Sequence, residues 1–347
     1  MRVSFRRLQL KKLFPLAISR GVSTGSENLY VFLEHEGITG IGEAAWGTGS
    51  EQSQAGVAEG ILLKFADDYG LEGKAISDVY AAMKEAGIDP PAMAAIDMAL
   101  WDWLGKKCGQ PLFRIWGLPN RSVATSVTIG LNPPEVTRER VPMILSTTKG
   151  KFLKIKLGSP EGVEFDQAHF EAAREAAAPF GAGLRVDANG GWSLGDAKMM
   201  LKWLAERGVG YVEQPLVEGA EDQLPELFKD RPLPIFVDES CRFADSIPKL
   251  AGRVDGINLK LMKCGGPTEA LRMVATARAH GLQTMIGCMS EGSVAIGAGA
   301  HLGALFDHID LDSHLNLNPD PAEGLEFVDG VVLPRDVPGL GVRLKEN

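Results

Sequence analysis

The chain has 347 residues, 45% of them hydrophobic and 23% charged, with a formal charge of -9 and a pI near 5.3. That length exceeds one ordinary domain, so a large barrel with an accessory domain or a pair of medium domains is expected. An acidic chain without a long basic face is no general nucleic-acid binder, and no apolar run approaches the roughly 18 residues that would cross a bilayer.

The basic opening "MRVSFRRLQLKKLFPLAIS" lacks the continuous apolar stretch of a targeting peptide. It alternates like a strand at Val3, Phe5, Leu8 and Leu10. Two β-rich runs around "EHEG", within residues 28–46, predict a hairpin. A helix follows in "PPAMAAIDMALWDWLGKKCGQ", with Pro91 in the first turn, helical spacing through Ile96, Leu100, Trp103 and Leu104, and Gly109 as the stop. The first 120 residues therefore read as an α+β unit. Trp101, Trp103 and Trp116 read as core or interface anchors.

From residue 123 short β-rich runs alternate with helix-sized segments: "TSVTIGL", "FLKIKLG", "LRVDANG", "YVEQP", "IFVDES", "GINLKLM", "TMIGCM" and "HIDLDSH". Eight βα units of about 25 residues each favour a closed parallel barrel. An open doubly wound sheet is the alternative, but no GxGxxG turn follows an early strand. The Pro-rich "LNPDPAEG" marks the barrel's end.

Charge on a barrel strand is costly except at the C-terminal mouth, where such barrels keep their chemistry. The strands end in Lys154 and Lys156, Asp187 and Asn189, Glu213, Asp238 and Glu239, and Lys260. On neighbouring strands, Asp187, Glu213 and Asp238 converge, and three such oxygen ligands demand a hard cation, Mg2+ or Mn2+. Lysines then flank the ion from two sides. Lys154 and Lys156 share a face, so their like charges are expected to depress the proton affinity of at least one of them, which would suit a base. Competing readings are a solvated KxK face and helix caps at Asp187 and Asp238. Three carboxylates on consecutive strands, with lysines on both sides, favour the site.

The six histidines form no HExxH pair, and His301, His308 and His314 read as helix-end or loop residues. Ser240 and Ser290 lack a nucleophile elbow. Cys108, Cys241, Cys264 and Cys288 are scattered without CxxC spacing and read as reduced core thiols, which fits a cytoplasmic protein.

Together "LKIKLG", "VDANGGW", "VEQP", "VDES" and "INLKLMKCGG" resemble the muconate-lactonizing branch of the enolase superfamily, over nearly the whole chain. "IGEAAW" and "AAIDMALWDWLGKKCGQPL" resemble its capping domain, and "PGLGV" its closing segment. The resemblance implies an α/β fold, a modified TIM barrel (β/α)7β over residues 121–318, under an α+β cap of 1–120 completed by 319–347. It implies that Asp187, Glu213 and Asp238 hold one Mg2+ per subunit, with Asn189 and Glu239 in support. Lys156 and Lys260 would exchange a proton on two faces of a substrate carbon, Lys154 tuning Lys156.

In "HIDLDSH", Asp310 and Asp312 share a strand face and resemble the DxD pair by which dipeptide epimerases hold a substrate ammonium. Arg20 resembles the arginine that binds a glutamate side chain in L-Ala-D/L-Glu epimerases. Trp46 is expected to wall the pocket and Thr128 to bond the bound peptide. The implied activity is Mg2+-dependent inversion of the C-terminal α-carbon of a dipeptide through an enolate, by a homo-oligomer, with L-Ala-D/L-Glu leading. N-acylamino acid racemase, o-succinylbenzoate synthase, muconate cycloisomerase and a non-catalytic peptide-binding barrel are the alternatives.

Overall fold

The computed structural model describes residues 1–47 and 54–346. Strands β1 (Arg2–Ile18), β2 (Gly21–His35) and β3 (Ile38–Ala44) form an antiparallel sheet in that order. The β2–β3 turn is the two-residue loop Glu36-Gly37, both at positive φ (53° and 72°), which matches the right-handed twist of the strands it joins. Helices α1 (Gln54–Tyr69), α2 (Ile76–Glu85) and α3 (Pro90–Cys108) pack on this sheet. Helix α3 starts at a proline and stops at Gly109, whose φ of 66° closes the last turn. Its backbone lies so close to β3 that a Cβ on Gly42 would come within 1.9 Å of the Ala95 carbonyl oxygen.

Eight parallel strands follow: β4 (Ser126–Ile129), β5 (Phe152–Lys156), β6 (Gly183–Asp187), β7 (Val209–Glu213), β8 (Ile235–Val237), β9 (Gly256–Lys260), β10 (Gln283–Gly287) and β11 (His308–Ile309). They pair in chain order, and a parallel bridge between Thr125 and Ile309 joins the last to the first. Their outward side chains, such as Leu153, Ile155, Val186 and Val212, are apolar and buried beneath the surrounding helices. The inward side chains build a floor of Tyr211, Phe236 and Met285. Arg185 seals that floor, its guanidinium 3.8 Å from the Phe152 ring centroid and 2.8 Å from Ser126 Oγ. A buried arginine needs such partners, and it leaves the barrel no open pore.

Sheet and barrel are joined through buried polar groups. Asp97 of α3 accepts bonds from the backbone N–H (2.8 Å) and hydroxyl (2.6 Å) of Thr268, and Trp101 donates to the same hydroxyl at 2.9 Å. Glu43 of β3 accepts from the backbone N–H groups of Gly292 (2.8 Å) and Ala295 (3.0 Å), at the start of the helix Ser293–His301. Asn28 and Tyr30 hold its carboxylate from the sheet side. The C-terminal segment returns to α3, where the Leu340 N–H donates to Asp102 at 2.7 Å.

Two expectations need correction. His308 lies on β11 and packs between Tyr211 and Phe236, because an imidazole completes the aromatic floor there. Cys108 is exposed at the end of α3, whereas Cys241 and Cys264 are buried; all four cysteines are free. Among the described residues no helix is long and apolar enough to cross a membrane.

Candidate active site

Register places the charged residues at the mouth. Lys156 pairs with Asp187 across β5–β6, and Asp187 with Glu213 across β6–β7, so the three stand at one level. Asp238 follows β8 directly, and Lys260 ends β9. The tight turns that expose these ends depend on Gly158, at φ 78°, where a Cβ would meet the Ala188 carbonyl oxygen at 2.1 Å.

The arc opens with a lysine and closes with one. Lys156 Nζ is 2.6 Å from Asp187 Oδ2, and Lys260 Nζ is 2.8 Å from Asp238 Oδ2. Lys154, fully buried, contacts Asp310 (2.6 Å), Glu213 (2.7 Å) and Asp187 (3.2 Å). Lys154 is not the depressed member of the lysine pair. Burial opposes its charge, but Asp310, Glu213 and Asp187 outweigh burial and raise its proton affinity well above that of an ordinary lysine. For Lys260 burial is likewise outweighed, chiefly by Asp238, and the ammonium is held more firmly than usual.

The acids divide. Burial raises Glu213 to about 7, reinforced by Asp187 and only partly relieved by Lys154. Asp187 and Asp238 are buried too, yet their lysine partners hold both below the usual carboxylate range. Neither aspartate caps a helix: Asp187 accepts the Asn189 N–H at 2.8 Å, and the following helix, Leu194–Ala205, is capped by Ser193. Glu213 Oε2 and Asp238 Oδ1 are buried without a hydrogen bond, although lysine ammonium groups stand against them. Among the described residues no three His, Cys, Asp or Glu side chains are gathered into a ready-made ion cage, because the carboxylates turn toward lysines.

Asp310 and Asp312 follow β11. Asp312 Oδ2 accepts the backbone N–H of Thr128 at 2.7 Å, while Asp310 Oδ1 is buried with no hydrogen bond. Burial, then Asp310, pushes Asp312 up to about 6. These residues share a cavity of about 250 Å³ with Lys156, Asn189, Asp238, Glu239 and Lys260.

The β1–β2 ribbon crosses this mouth. Lys12, Leu16, Ile18 and Arg20, spaced at multiples of two, line the cavity from above. Arg20, at the tip, donates to the Asn189 carbonyl at 2.9 Å and pairs with Glu239 at 2.5 Å. Trp46 is not at the mouth: its indole donates to Asp89 at 2.6 Å and lines a groove against α1, while Gly47 borders the cavity.

Sequence reasoning passed over Lys12, Asn258 and Lys263. Asn258 donates to Glu213 Oε1 at 2.7 Å, and its place two residues before Lys260 on β9 was the available signal. Lys263 pairs with Asp238 and donates to the carbonyls of Asp238, Asn258 and Cys241, one helical turn after Lys260.

Residues 2–117 match the mandelate racemase / muconate lactonizing enzyme N-terminal domain, and residues 145–347 match the enolase C-terminal domain-like family. A hydrophobic dipeptide epimerase of Roseobacter litoralis is 59% identical over 341 residues, 98% of each chain. An L-Ala-D/L-Glu epimerase of Bacteroides thetaiotaomicron is 34% identical, over 99% of this chain and 88% of its own. The crystal structure of a dipeptide epimerase from Enterococcus faecalis V583, complexed with Mg and L-Leu-L-Tyr, superposes with a TM-score of 0.89 at 32% identity, covering 98% of both chains. With a barrel of this topology, an arc of acids closed by lysines and two domain matches in chain order, the protein belongs to the mandelate racemase/muconate lactonizing branch of the enolase superfamily.

Proposed function

We propose that the protein is a Mg2+-dependent dipeptide epimerase that inverts the α-carbon of the C-terminal residue by 1,1-proton transfer. The observation that carries this reading is the arc itself: carboxylates on three successive strands, bounded by Lys156 on one side and Lys260 on the other. Names of relatives and the E. faecalis complex support it.

The donor set suits the ion. Asp187, Glu213 and Asp238 would hold Mg2+, their hard oxygens including two buried ones that accept no hydrogen bond. Bound there, the ion supplies positive charge against the negative charge that develops on the substrate carboxylate. One of Lys156 and Lys260, unprotonated, takes the α-proton, and the C–H electron pair passes into the carboxylate as an enolate. The other, as an ammonium, returns a proton from the opposite face, so the count of protons is unchanged. Lys156 is paired with Asp187 and Lys260 with Asp238, so the configuration of the substrate's α-carbon decides which lysine accepts the proton and which donates it. Lys154 neutralises the acids beneath. Asp310 and Asp312 take the substrate ammonium, and Thr128 fixes Asp312 through its backbone.

For L-Ala-D/L-Glu, the glutamate carboxylate would replace Glu239 as the partner of Arg20. A second reading, hydrophobic dipeptides, is favoured by Leu16, Ile18 and Met289 on the same cavity wall. The test is incubation with a dipeptide library, Mg2+ and D2O, read by mass spectrometry. Deuterium is expected at the C-terminal α-position, lost on chelation; no exchange with any dipeptide defeats the reading.

A further inference from the structure

Lys12 sits where β1 leaves its register with β2, between Lys11 and Leu16, and there its backbone bridges to Leu317 instead. The ammonium donates to Ser23 Oγ at 2.8 Å, and that hydroxyl donates onward to the Gly25 carbonyl. Among the described residues it has no carboxylate in ion-pair contact, although it lines the acid-rich mouth. Burial lowers its proton affinity to about 8, against the pull of Cys288 and Asp312, while Lys156 lowers it further. Asp312, which follows β11, and Lys156, which ends β5, line the same cavity as Lys12.

On the dipeptide reading above, those two residues mark two points along the substrate. Asp312 receives the N-terminal ammonium, and Lys156 faces the α-carbon of the C-terminal residue. Between an ammonium and that carbon a dipeptide carries one acceptor, the oxygen of its peptide bond. An ammonium that lines the cavity with both residues and holds only a serine hydroxyl is a donor in want of an acceptor.

We propose that Lys12 is a substrate-binding residue whose ammonium donates a hydrogen bond to the peptide carbonyl oxygen, so that the site selects amino acids bearing an acyl group. It contributes to binding and to register, and takes no part in proton transfer. A free amino acid, lacking that oxygen, is not held.

The test crosses two changes: Lys12→Met in the protein and oxygen to sulfur in the peptide bond, comparing L-Leu-L-Tyr with its thioamide. Sulfur accepts hydrogen bonds poorly, so in the unaltered enzyme the thioamide should raise KM about tenfold, the scale of a charged hydrogen bond. Lys12→Met should raise KM for the oxygen peptide by a similar factor of about ten, leave kcat within about twofold, and respond little to the sulfur exchange. Lys12→Arg, which keeps the charge and donor, should recover most of the loss. If Lys12→Met and unaltered enzyme suffer the same penalty from sulfur, or Lys12→Arg behaves as Lys12→Met does, the proposal is overturned while the epimerase reading stands. Failure of the unaltered enzyme to exchange either compound overturns the epimerase reading, and this proposal with it.

Discussion

The wall of the mouth and the ribbon above it are built differently. On the wall, β5 to β9 place lysines and acids by register, each fixed by a neighbouring strand and buried: Lys154, Asp187 and Glu213 are 0% exposed at the side chain. On the ribbon, Arg20 is 49% exposed at its side chain and touches the wall through one ion pair and a carbonyl. A buried, over-determined set suits chemistry that must not vary. A strand lying across the opening can change side chains without disturbing the barrel, and suits the choice of substrate.

That contrast is open to attack, first at the wall. Lys156→Ala or Lys260→Ala should each lower kcat for epimerisation by about a thousandfold, the scale of general acid–base catalysis. Dipeptide affinity, read by calorimetry, should fall far less. A variant that still epimerises at a tenth of the normal rate would deny its lysine a role in proton transfer.

Glu43 tests whether sheet and barrel are independent. Glu43→Ala removes a buried acceptor from two helix N–H groups, Asn28 and Tyr30, and should cost about 3 kcal/mol of stability. Denaturant unfolding measures it, and a loss below about 1 kcal/mol would show that the contact is dispensable.

The pH dependence of binding probes the DxD pair. Asp312, raised to about 6 by burial and Asp310, is a carboxylate above that pH and neutral below it. Affinity for a dipeptide ammonium should therefore hold above pH 6 and fall as pH drops through it, by up to about tenfold per unit. Asp312→Asn should bind weakly at all pH values and lose this inflection. An unchanged inflection would assign it elsewhere.

The smallest effect belongs to the ribbon tip. Arg20→Met should weaken L-Ala-L-Glu several-fold, by about 1 kcal/mol, and leave L-Leu-L-Tyr nearly unaltered, as expected for an exposed ion pair. Equal losses in kcat/KM would remove Arg20 from side-chain choice.

The same contrast explains what could be read without coordinates. Strand-end charges such as Asp187, Glu213 and Lys260 announce themselves because alternation within one strand decides which way a side chain points. Asn258 obeys the same alternation and could have been found by it. The direction of Trp46 could not, since its partner Asp89 lies 43 residues away and only packing of the cap chooses it. Lys12 was hidden for a similar reason: the residues that share its cavity come from β5 and the segment after β11, brought beneath the ribbon by the closed barrel. That Lys154 keeps its proton firmly was not legible, because the sequence shows its lysine neighbour two residues away but not the three acids folded around it.

The Glu43 carboxylate has a consequence for how this architecture can be divided. Two amides that begin a barrel helix, two and five residues beyond Ser290 at the mouth, are completed by an acceptor that belongs to the other domain. A barrel cut free of its cap would start that helix with bare donors beside the reaction chamber. Neither half is a smaller version of the enzyme, and an exchange of caps between relatives must carry this acid along or lose the rim it supports.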